Sequence, residues 1–181
     1  MQGFFFYKLP FFFLLFYIYQ MKAYYDSPFG CIEFVFDGDQ LAELNIAREK
    51  PALLDTLSNL QKNAVQQLTE YFDGVRKDFE ISIVFNTGTE FEQNVWTALL
   101  DIPYGKSCSY SDVAYKIGKD RKASQAVGRA VGRNPIAIIV PCHRVIGKNG
   151  KLTGFASGID RKIFLLNLER QRTIGAQGSL F

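Results

Sequence analysis

Residues 134–145 read Asn-Pro-Ile-Ala-Ile-Ile-Val-Pro-Cys-His-Arg-Val, and they place a thiol beside the only histidine of the chain. The apolar run 136–140 predicts a buried extended segment, with Cys142 presented just beyond its end. Adjacent side chains of an extended chain point to opposite sides, so Cys142 and His143 can act together only if the backbone bends there. Arg144 adds a positive charge, which favours the thiolate form of a cysteine.

Taken alone, this Cys-His pair has two interpretations. Free cysteines are among the most buried residues, so the pair can be an ordinary packing feature. The alternative is a nucleophilic thiol activated by an adjacent base. The dipeptide by itself is compatible with both interpretations.

Length and cysteine content narrow the class of protein. The chain has 181 residues, 48% of them hydrophobic, which is enough to bury a core in two small lobes or one medium domain. Its three cysteines are odd in number and widely spaced, which argues against a disulfide framework and predicts a reducing compartment, the cytoplasm. With one histidine and no CxxC motif, we expect no transition-metal site. We also expect no cofactor.

The charge of the chain is distributed unevenly. Residues 104–172 contain fourteen basic and four acidic side chains, a net charge of +10, whereas the whole chain carries +3. So few acids interrupt the basic set that a solvated face of mixed charge explains it less well than a surface for a polyanion. The sequence therefore predicts that this half of the protein meets a polyanion.

The first twenty residues are rich in aromatic side chains, with an unbroken apolar run over 11–19. Lys8 and Pro10 interrupt the segment, the run is shorter than the roughly 20 residues that span a bilayer, and no small-residue cleavage pattern follows. We therefore expect no membrane association. Our interpretation is that Met21 initiates the native domain and that 1–20 is an extension outside it.

The segment 21–86 is predicted to form a β-rich N-terminal lobe around one helix. Strand patterns at Tyr24-Tyr25, over 31–36 and over 41–46, with a turn over 37–39, predict a meander. Apolar residues three or four apart over 53–72 predict an amphipathic helix that ends at a glycine. A further strand is expected over 79–85.

The segment 87–175 is predicted to form a mainly helical C-terminal lobe, followed by a tail over 176–181. Its helices are expected over 90–100, 109–117, 123–132 and 159–170. The second and third of these are short and joined by five residues, with basic side chains at the turn and on the second helix of the pair. This arrangement is typical of a helix-turn-helix.

Several further motifs occur in a fixed order along the chain. They are Phe91-Glu92-Gln93-Asn94-Val95-Trp96, Ile102-Pro103-Tyr104-Gly105-Lys106, Ser109-Tyr110, Ala126-Val127-Gly128, Asn134-Pro135, Gly150-Lys151-Leu152-Thr153-Gly154 and Leu165-Leu166-Asn167-Leu168-Glu169. Together with the Pro-Cys-His-Arg-Val core, the chain resembles the O6-alkylguanine-DNA alkyltransferases. This resemblance implies an α+β fold, with a ribonuclease H-like N-terminal lobe and a C-terminal lobe that carries a winged helix-turn-helix.

The resemblance implies direct repair of DNA by a monomeric protein. An alkyl group would pass from O6 of guanine, and also from O4 of thymine, to Cys142, irreversibly and once per molecule. By analogy with the family, His143 accepts the thiol proton through a water and Glu169 holds the imidazole. Tyr110 would protonate the departing guanine, and Asn134 would brace the turn that carries the cysteine. A thiol needs such help because at its ordinary pKa of about 8.5 it is only slightly ionised at neutral pH.

The resemblance also implies that the helix-turn-helix enters the minor groove of DNA and that the damaged base swings out of the stack into a pocket. The residues implied in DNA and base binding are Gln125, Ala126, Arg129, Val145, Phe155, Ala156 and Ser157. Gln125 stands where the family usually has an arginine that fills the gap left by the flipped base, which predicts weaker DNA binding. Phe155-Ala156-Ser157-Gly158 departs from the usual Tyr-Ser/Ala/Arg-Gly-Gly, which bears on the preferred size of the alkyl group.

Two other functions are alternatives to alkyl transfer. Alkyltransferase-like proteins bind the lesion without repairing it, but they replace the cysteine that is present here as Cys142. A Cys-His hydrolase would need an oxyanion motif, which we do not find, and it fits the basic half of the chain poorly. Some family members bind zinc near the N-terminus, and we predict no such site here because Cys31 is isolated.

Overall fold

The computed structural model describes residues 22–28, 30–46, 57–152, 155 and 157–177. The predicted extension 1–20, the beginning of the predicted helix at 53–56, the end of the tail at 178–181 and Ala156 lie outside these residues. Within the described part of the chain, none of the helices combines the length and apolar character needed to cross a bilayer.

The N-terminal lobe is built on an antiparallel sheet. Its strands are β1 (Lys22–Ser27), β2 (Gly30–Asp37) and β3 (Gln40–Ile46), in the order β1-β2-β3. Alternating side chains such as Ile32 and Phe34 point into the core and are fully buried. The predicted meander is therefore confirmed.

Helix α1 (Asn59–Phe72) packs its apolar face against this sheet, with Ala64, Leu68 and Tyr71 buried. The helix begins after Ser58, whose side chain accepts a hydrogen bond from Gln61 N while the Gln61 side chain accepts one from Ser58 N. This capping box satisfies two amide groups at the helix start. Residue 57 and Ser58 are consequently not helical, although the predicted helix includes them.

The prediction of a strand over 79–85 is wrong. Only Ile83 forms a bridge, parallel to Leu41 on the outer edge of β3. The amide side chain of Gln67 instead accepts a hydrogen bond from Glu80 N and donates one to Glu80 O. A side chain of α1 thus replaces part of the strand ladder, because backbone groups can be satisfied by any suitable partner.

The described part of the C-terminal lobe contains four α-helices and a pair of two-residue strands. The helices are α2 (Glu90–Leu99), α3 (Tyr110–Lys116), α4 (Ser124–Gly132) and α5 (Ile159–Gln177), and β4 (Cys108–Ser109) pairs in parallel with β5 (Val145–Ile146). Trp96 of α2 is buried and donates its indole N–H to Ala130 O of α4 over 2.8 Å. The predicted helices are confirmed, except that α5 runs past residue 170 to Gln177.

Gly88 shows why a glycine precedes α2. Its φ is +84°, and a Cβ atom at this position would lie 2.4 Å from the indole ring of Trp96. Only glycine tolerates both this backbone conformation and this close approach. The tryptophan can therefore pack directly beneath the connection between the two lobes.

Candidate active site

The segment 136–140 forms a compact turn, so the predicted extended segment is wrong. Ile139 N donates to Ala137 O and Val140 N to Ile136 O, over 2.9 and 3.0 Å. Ile138 has a φ of +72°, in the left-handed region that strains a β-branched residue. The turn is nevertheless well supported, because its apolar side chains are buried in the core shared by the two lobes.

Two residues outside the turn hold it in place. The Asn134 side chain donates to Val140 O over 2.8 Å and accepts from Ile136 N over 3.1 Å. On the other side, Leu44 N of β3 donates to Pro135 O over 2.9 Å. The open edge of the N-terminal sheet therefore supports the turn that leads to Cys142.

The bend predicted between Cys142 and His143 is confirmed. A single turn of 3-10 helix (Cys142–Arg144) begins after Pro141. Cys142, His143 and Arg144 are all buried, with exposed fractions of 5, 0 and 6%. A short helix turns successive side chains by about a third of a circle, so all three can face the interior of the lobe in different directions.

His143 is paired with the carboxylate of Glu169 on α5. His143 Nε2 and Glu169 Oε1 are 2.9 Å apart, and both side chains are buried. A neighbouring carboxylate favours the tautomer that donates from Nε2, which leaves Nδ1 as the acceptor. Nδ1 is buried and has no hydrogen-bond partner among the described residues. Burial is the main influence on the pKa of His143 and lowers it, so the ring is neutral at pH 7.

The Glu169 carboxylate accepts hydrogen bonds from several groups of the described residues. Besides His143, they include the guanidinium of Arg144 at 2.9–3.2 Å, the Gly105 N–H at 2.9 Å and the Tyr71 hydroxyl at 2.8 Å. Burial alone would raise the pKa of Glu169, but hydrogen bonds from His143 and Arg144 outweigh it and lower the pKa to about 2. The carboxylate is therefore charged throughout the physiological range. The positive charge of Arg144, predicted to favour the thiolate, is directed at Glu169 instead.

The thiol of Cys142 has polar neighbours despite its burial. Burial, the largest effect, raises the pKa of Cys142, while a hydrogen bond from the Asn134 side chain and the positive charge of Lys162 oppose this rise. The backbone N–H groups of Cys142 and His143 act in the same direction as Asn134. The thiol is thus protonated at rest, in a setting that stabilises the thiolate once its proton leaves.

Lys162 also belongs to the site, although the sequence did not predict it. It lies on α5 and is fully buried, and its Nζ donates to Val145 O over 2.6 Å. Burial lowers the pKa of Lys162, against the influence of Cys142. The sequence offers one indication of this position: residues 162, 165 and 169 fall on one face of a helix, so Lys162 shares the face of Glu169.

A cavity of about 100 Å³ opens beside the thiol. Its wall includes Cys142, Asn134, Phe155 and Ser157, which were predicted site residues, and also Asn45 of β3. Val145 is buried, and its carbonyl faces Lys162. Tyr110 begins α3, with its ring beside Gly128 of α4 and 5.9 Å from Lys162 Nζ. Among the described residues, the structure therefore brings those predicted for chemistry and for the pocket into one region.

The predicted helix-turn-helix consists of α3, a turn of 3-10 helix (Arg121–Ala123) and α4. Ser109 caps α3 through a capping box with Asp112. On α4, Gln125 and Arg129 are exposed one turn apart, and Ala126 is half-buried beside them. These three residues share the outer surface of the motif, on a different element from the one that carries the thiol.

The other thiols differ from Cys142. Cys108 is half-buried, and burial, with a contribution from Asp112, raises its pKa to about 11. Cys31 lies on β2 in the N-terminal lobe. No group of three or more His, Cys, Asp and Glu side chains in the described part of the chain is arranged to hold a metal ion.

Comparison with known proteins agrees with this arrangement. Residues 21–85 match the ribonuclease-like domain of 6-O-methylguanine DNA methyltransferase, and residues 90–171 match its DNA binding domain. A methylated-DNA-protein-cysteine methyltransferase from Methanosarcina acetivorans is 47% identical over 152 residues, which cover 81% of this chain and 96% of the relative.

Solved structures give the same result. The crystal structure of the Mycobacterium tuberculosis O6-methylguanine methyltransferase matches with a TM-score of 0.73 and 43% identity, over 84% of this chain and 94% of that one. A structure of the same protein in complex with DNA also matches with a TM-score of 0.73, at 45% identity over 82 and 93% of the two chains.

Fold and site define a two-lobed DNA-binding protein with a buried cysteine at its centre. The chain belongs to the 6-O-methylguanine DNA methyltransferase family, the O6-alkylguanine-DNA alkyltransferases. It is accordingly an alkyl-transferring protein of DNA repair, and its partner is DNA.

Proposed function

We propose that this protein, a methylated-DNA-protein-cysteine methyltransferase, moves an alkyl group from O6 of guanine in DNA to the sulfur of its own Cys142. The observation that carries the proposal is the chain of contacts at Cys142. The thiol lies in a small cavity, next in sequence to a neutral histidine whose far nitrogen is held by a charged glutamate. This arrangement suits the removal of a thiol proton from an otherwise unreactive cysteine.

In the proposed step, His143 accepts the thiol proton at Nδ1 through a water. The sulfur then forms a bond to the alkyl carbon while the bond from that carbon to O6 breaks, and the electron pair goes to the guanine. Glu169 stabilises the resulting imidazolium, and Lys162 and Asn134 stabilise the thiolate before the attack. A thioether is a stable product, so each molecule reacts once.

The departing guanine gains electron density and needs a proton. We propose that the Tyr110 hydroxyl supplies it to the ring nitrogen, acting as a general acid. Residues Val145, Phe155, Ala156 and Ser157 are proposed to line the base pocket. The same chemistry applies to O4-alkylthymine, in which an alkyl group is likewise bound to an oxygen on an aromatic ring.

Access to the base requires DNA to be deformed, because a stacked base does not expose its O6 substituent to an in-line thiol. We propose that α4 enters the minor groove and that Gln125 occupies the gap left by the flipped base, with Ala126 and Arg129 beside it. The exposure of Gln125 and Arg129 supports this role. We further propose that the protein works as a monomer in the cytoplasm, where its three free cysteines fit a reducing environment.

The test is to incubate the protein with a duplex that contains O6-methylguanine and to weigh the intact protein. We expect a gain of one methyl group, located on Cys142 by peptide mapping, with the yield limited to one transfer per molecule. Unmodified protein together with an intact, tightly bound lesion would support the lesion-binding alternative and contradict the proposal.

Two cysteine variants serve as matched controls. Cys142→Ala should bind the lesion without gaining mass, whereas Cys108→Ala should still be methylated, because the high pKa of Cys108 leaves it almost entirely protonated. Methylation of Cys142→Ala would show that another residue accepts the group.

A further inference from the structure

A phenol of the N-terminal lobe reaches the carboxylate of the active site. Tyr71, in the last turn of α1, is fully buried, and its hydroxyl donates a hydrogen bond to Glu169 Oε1 over 2.8 Å. The same oxygen is 2.9 Å from His143 Nε2. Tyr71 and Glu169 are 98 residues apart in the chain and belong to different lobes.

The Tyr71 hydroxyl can act only as a donor in this contact. Burial, followed by the negative charge of Glu169, raises the pKa of Tyr71 well above its ordinary value, so the phenol stays protonated. A carboxylate has no proton to give, and it accepts from both Tyr71 and His143 at Oε1. Arg144 already supplies the positive charge that balances Glu169. The neutral Tyr71 hydroxyl therefore has a different role, which is to fix the position of one carboxylate oxygen.

Packing holds the Tyr71 ring in place for this role. Its centroid is 5.5 Å from that of Phe72, 5.4 Å from that of Phe79 and 6.0 Å from that of Tyr104. Phe79 belongs to the segment that leaves α1, and Tyr104 lies in the loop whose Gly105 N–H also binds Glu169. A hydrogen-bond donor that is locked in place by packing positions its acceptor more effectively than a mobile donor does, because neither side chain has to be ordered during the reaction.

We propose that Tyr71 is a positioning residue for alkyl transfer, through which the N-terminal lobe fixes the Glu169 oxygen that supports His143. This inference rests on the transfer reaction proposed above. The shared oxygen has a direct consequence. The hydrogen bond from Tyr71 withdraws electron density from Oε1, so this oxygen stabilises a proton on the resting His143 less strongly and the base stays neutral. The same bond fixes the position of Oε1, and with it the orientation of the His143 ring.

The test is Tyr71→Phe in the full chain, since phenylalanine retains the ring and removes only the hydroxyl. We expect the single-turnover rate at neutral pH to fall about three- to tenfold, a loss of the size that one ordinary hydrogen bond contributes. We also expect the acid side of the pH-rate profile to move to higher pH, because His143 then binds a proton more readily. The affinity for lesion-containing DNA should be unchanged.

Tyr25→Phe is the matched control. Tyr25 lies in the same lobe, and its ring stacks on Phe72 at 6.2 Å. Removal of its hydroxyl should alter neither the rate nor the pH profile. If both tyrosine variants lower the rate equally, the effect is one of general packing and the inference is wrong.

Glu169→Gln provides the decisive comparison. The charged and titratable groups around His143 are Cys142 and Arg144 on its own segment, Glu169 and Lys162 from α5, and Tyr71 from α1. If Tyr71 acts through Glu169, adding Tyr71→Phe to Glu169→Gln should cause little further loss of rate. The inference is overturned if Tyr71→Phe lowers the rate equally in the wild type and in Glu169→Gln. It is also overturned if the acid side of the pH-rate profile does not move, or if the affinity for DNA falls together with the rate. If the wild type transfers no methyl group at all, the proposed function fails and this inference fails with it.

Discussion

Lys162 and Glu169 lie on the same buried face of α5 and approach the Cys142–His143 pair with opposite charges. Their exposed fractions are 0 and 1%. Lys162 acts on the thiol, whereas Glu169 binds the imidazole. One helix thus supplies a cation for the thiolate and an anion for the imidazolium, the two charged species that proton transfer between Cys142 and His143 creates.

Replacing Lys162 with methionine should slow the reaction without unfolding the protein. Loss of the buried ammonium makes the Cys142 thiolate less stable, and we expect the single-turnover rate at neutral pH to fall about tenfold or more, equivalent to at least about 1.4 kcal/mol. Because burial of a charge is costly, the melting temperature should change little or rise. Lys62→Met, at an exposed position of α1, is the control and should react at the wild-type rate. A normal rate in Lys162→Met would contradict this role.

Acid should destabilise the protein in two pH ranges. The pKa of Glu169 is lowered from 4.5 to about 2, so its stabilising effect is fully present above 4.5 and is lost as the pH falls towards 2. This loss is of the order of 3 kcal/mol. The lowered pKa of His143 adds an earlier loss that begins near 6.5, where the unfolded chain binds a proton that the folded protein does not. Denaturant unfolding at a series of pH values measures both losses. Glu169→Gln should remove the part of the lower one that Glu169 contributes, while other carboxylates with a lowered pKa, such as Glu33, keep theirs.

Replacing Gln125 with arginine should strengthen DNA binding. One added positive charge at the exposed surface of α4 should neutralise about one more phosphate and steepen the dependence of log Kd on log salt by roughly 0.9. Fluorescence anisotropy with a lesion-containing duplex at several salt concentrations measures both effects. Gln66→Arg adds the same charge to an exposed position of α1 and should leave the slope unchanged. Equal affinities and equal slopes for Gln125→Arg and the wild type would contradict a place for residue 125 in the DNA-binding surface.

The strained backbone at Ile138 should be visible in a comparison of two glycine variants. Ile138 and Ile139 are similarly buried, at 3 and 8%, but only Ile138 has a positive φ. Each substitution removes a buried side chain at a cost of about 2–5 kcal/mol. Glycine also relieves the left-handed strain at position 138, which is worth about 1–2 kcal/mol. Ile138→Gly should therefore be less destabilising than Ile139→Gly by that amount in urea unfolding.

Local patterns in the sequence predicted most of the secondary structure. Helix α1 and the four helices of the C-terminal lobe follow from apolar spacing and capping residues, which act within a few positions along the chain. The segments 79–85 and 136–140 were predicted wrongly, although both are rich in β-branched residues. In each case the partner that decides the conformation is distant: Gln67 of α1 takes the place of a ladder for Glu80, and Asn134 and Leu44 hold the turn.

The sequence by itself determined the family, the reactive pair and the basic character of the C-terminal half, because these depend on residue identity and order. Only the tertiary structure decided which charges surround that pair. Arg144 is adjacent to His143 in sequence but is directed at Glu169, while Lys162 and Tyr71 come from other elements. The physical reason is that a pKa and an oriented hydrogen bond depend on burial and on distances of a few ångströms, which arise only when the two lobes pack around α5.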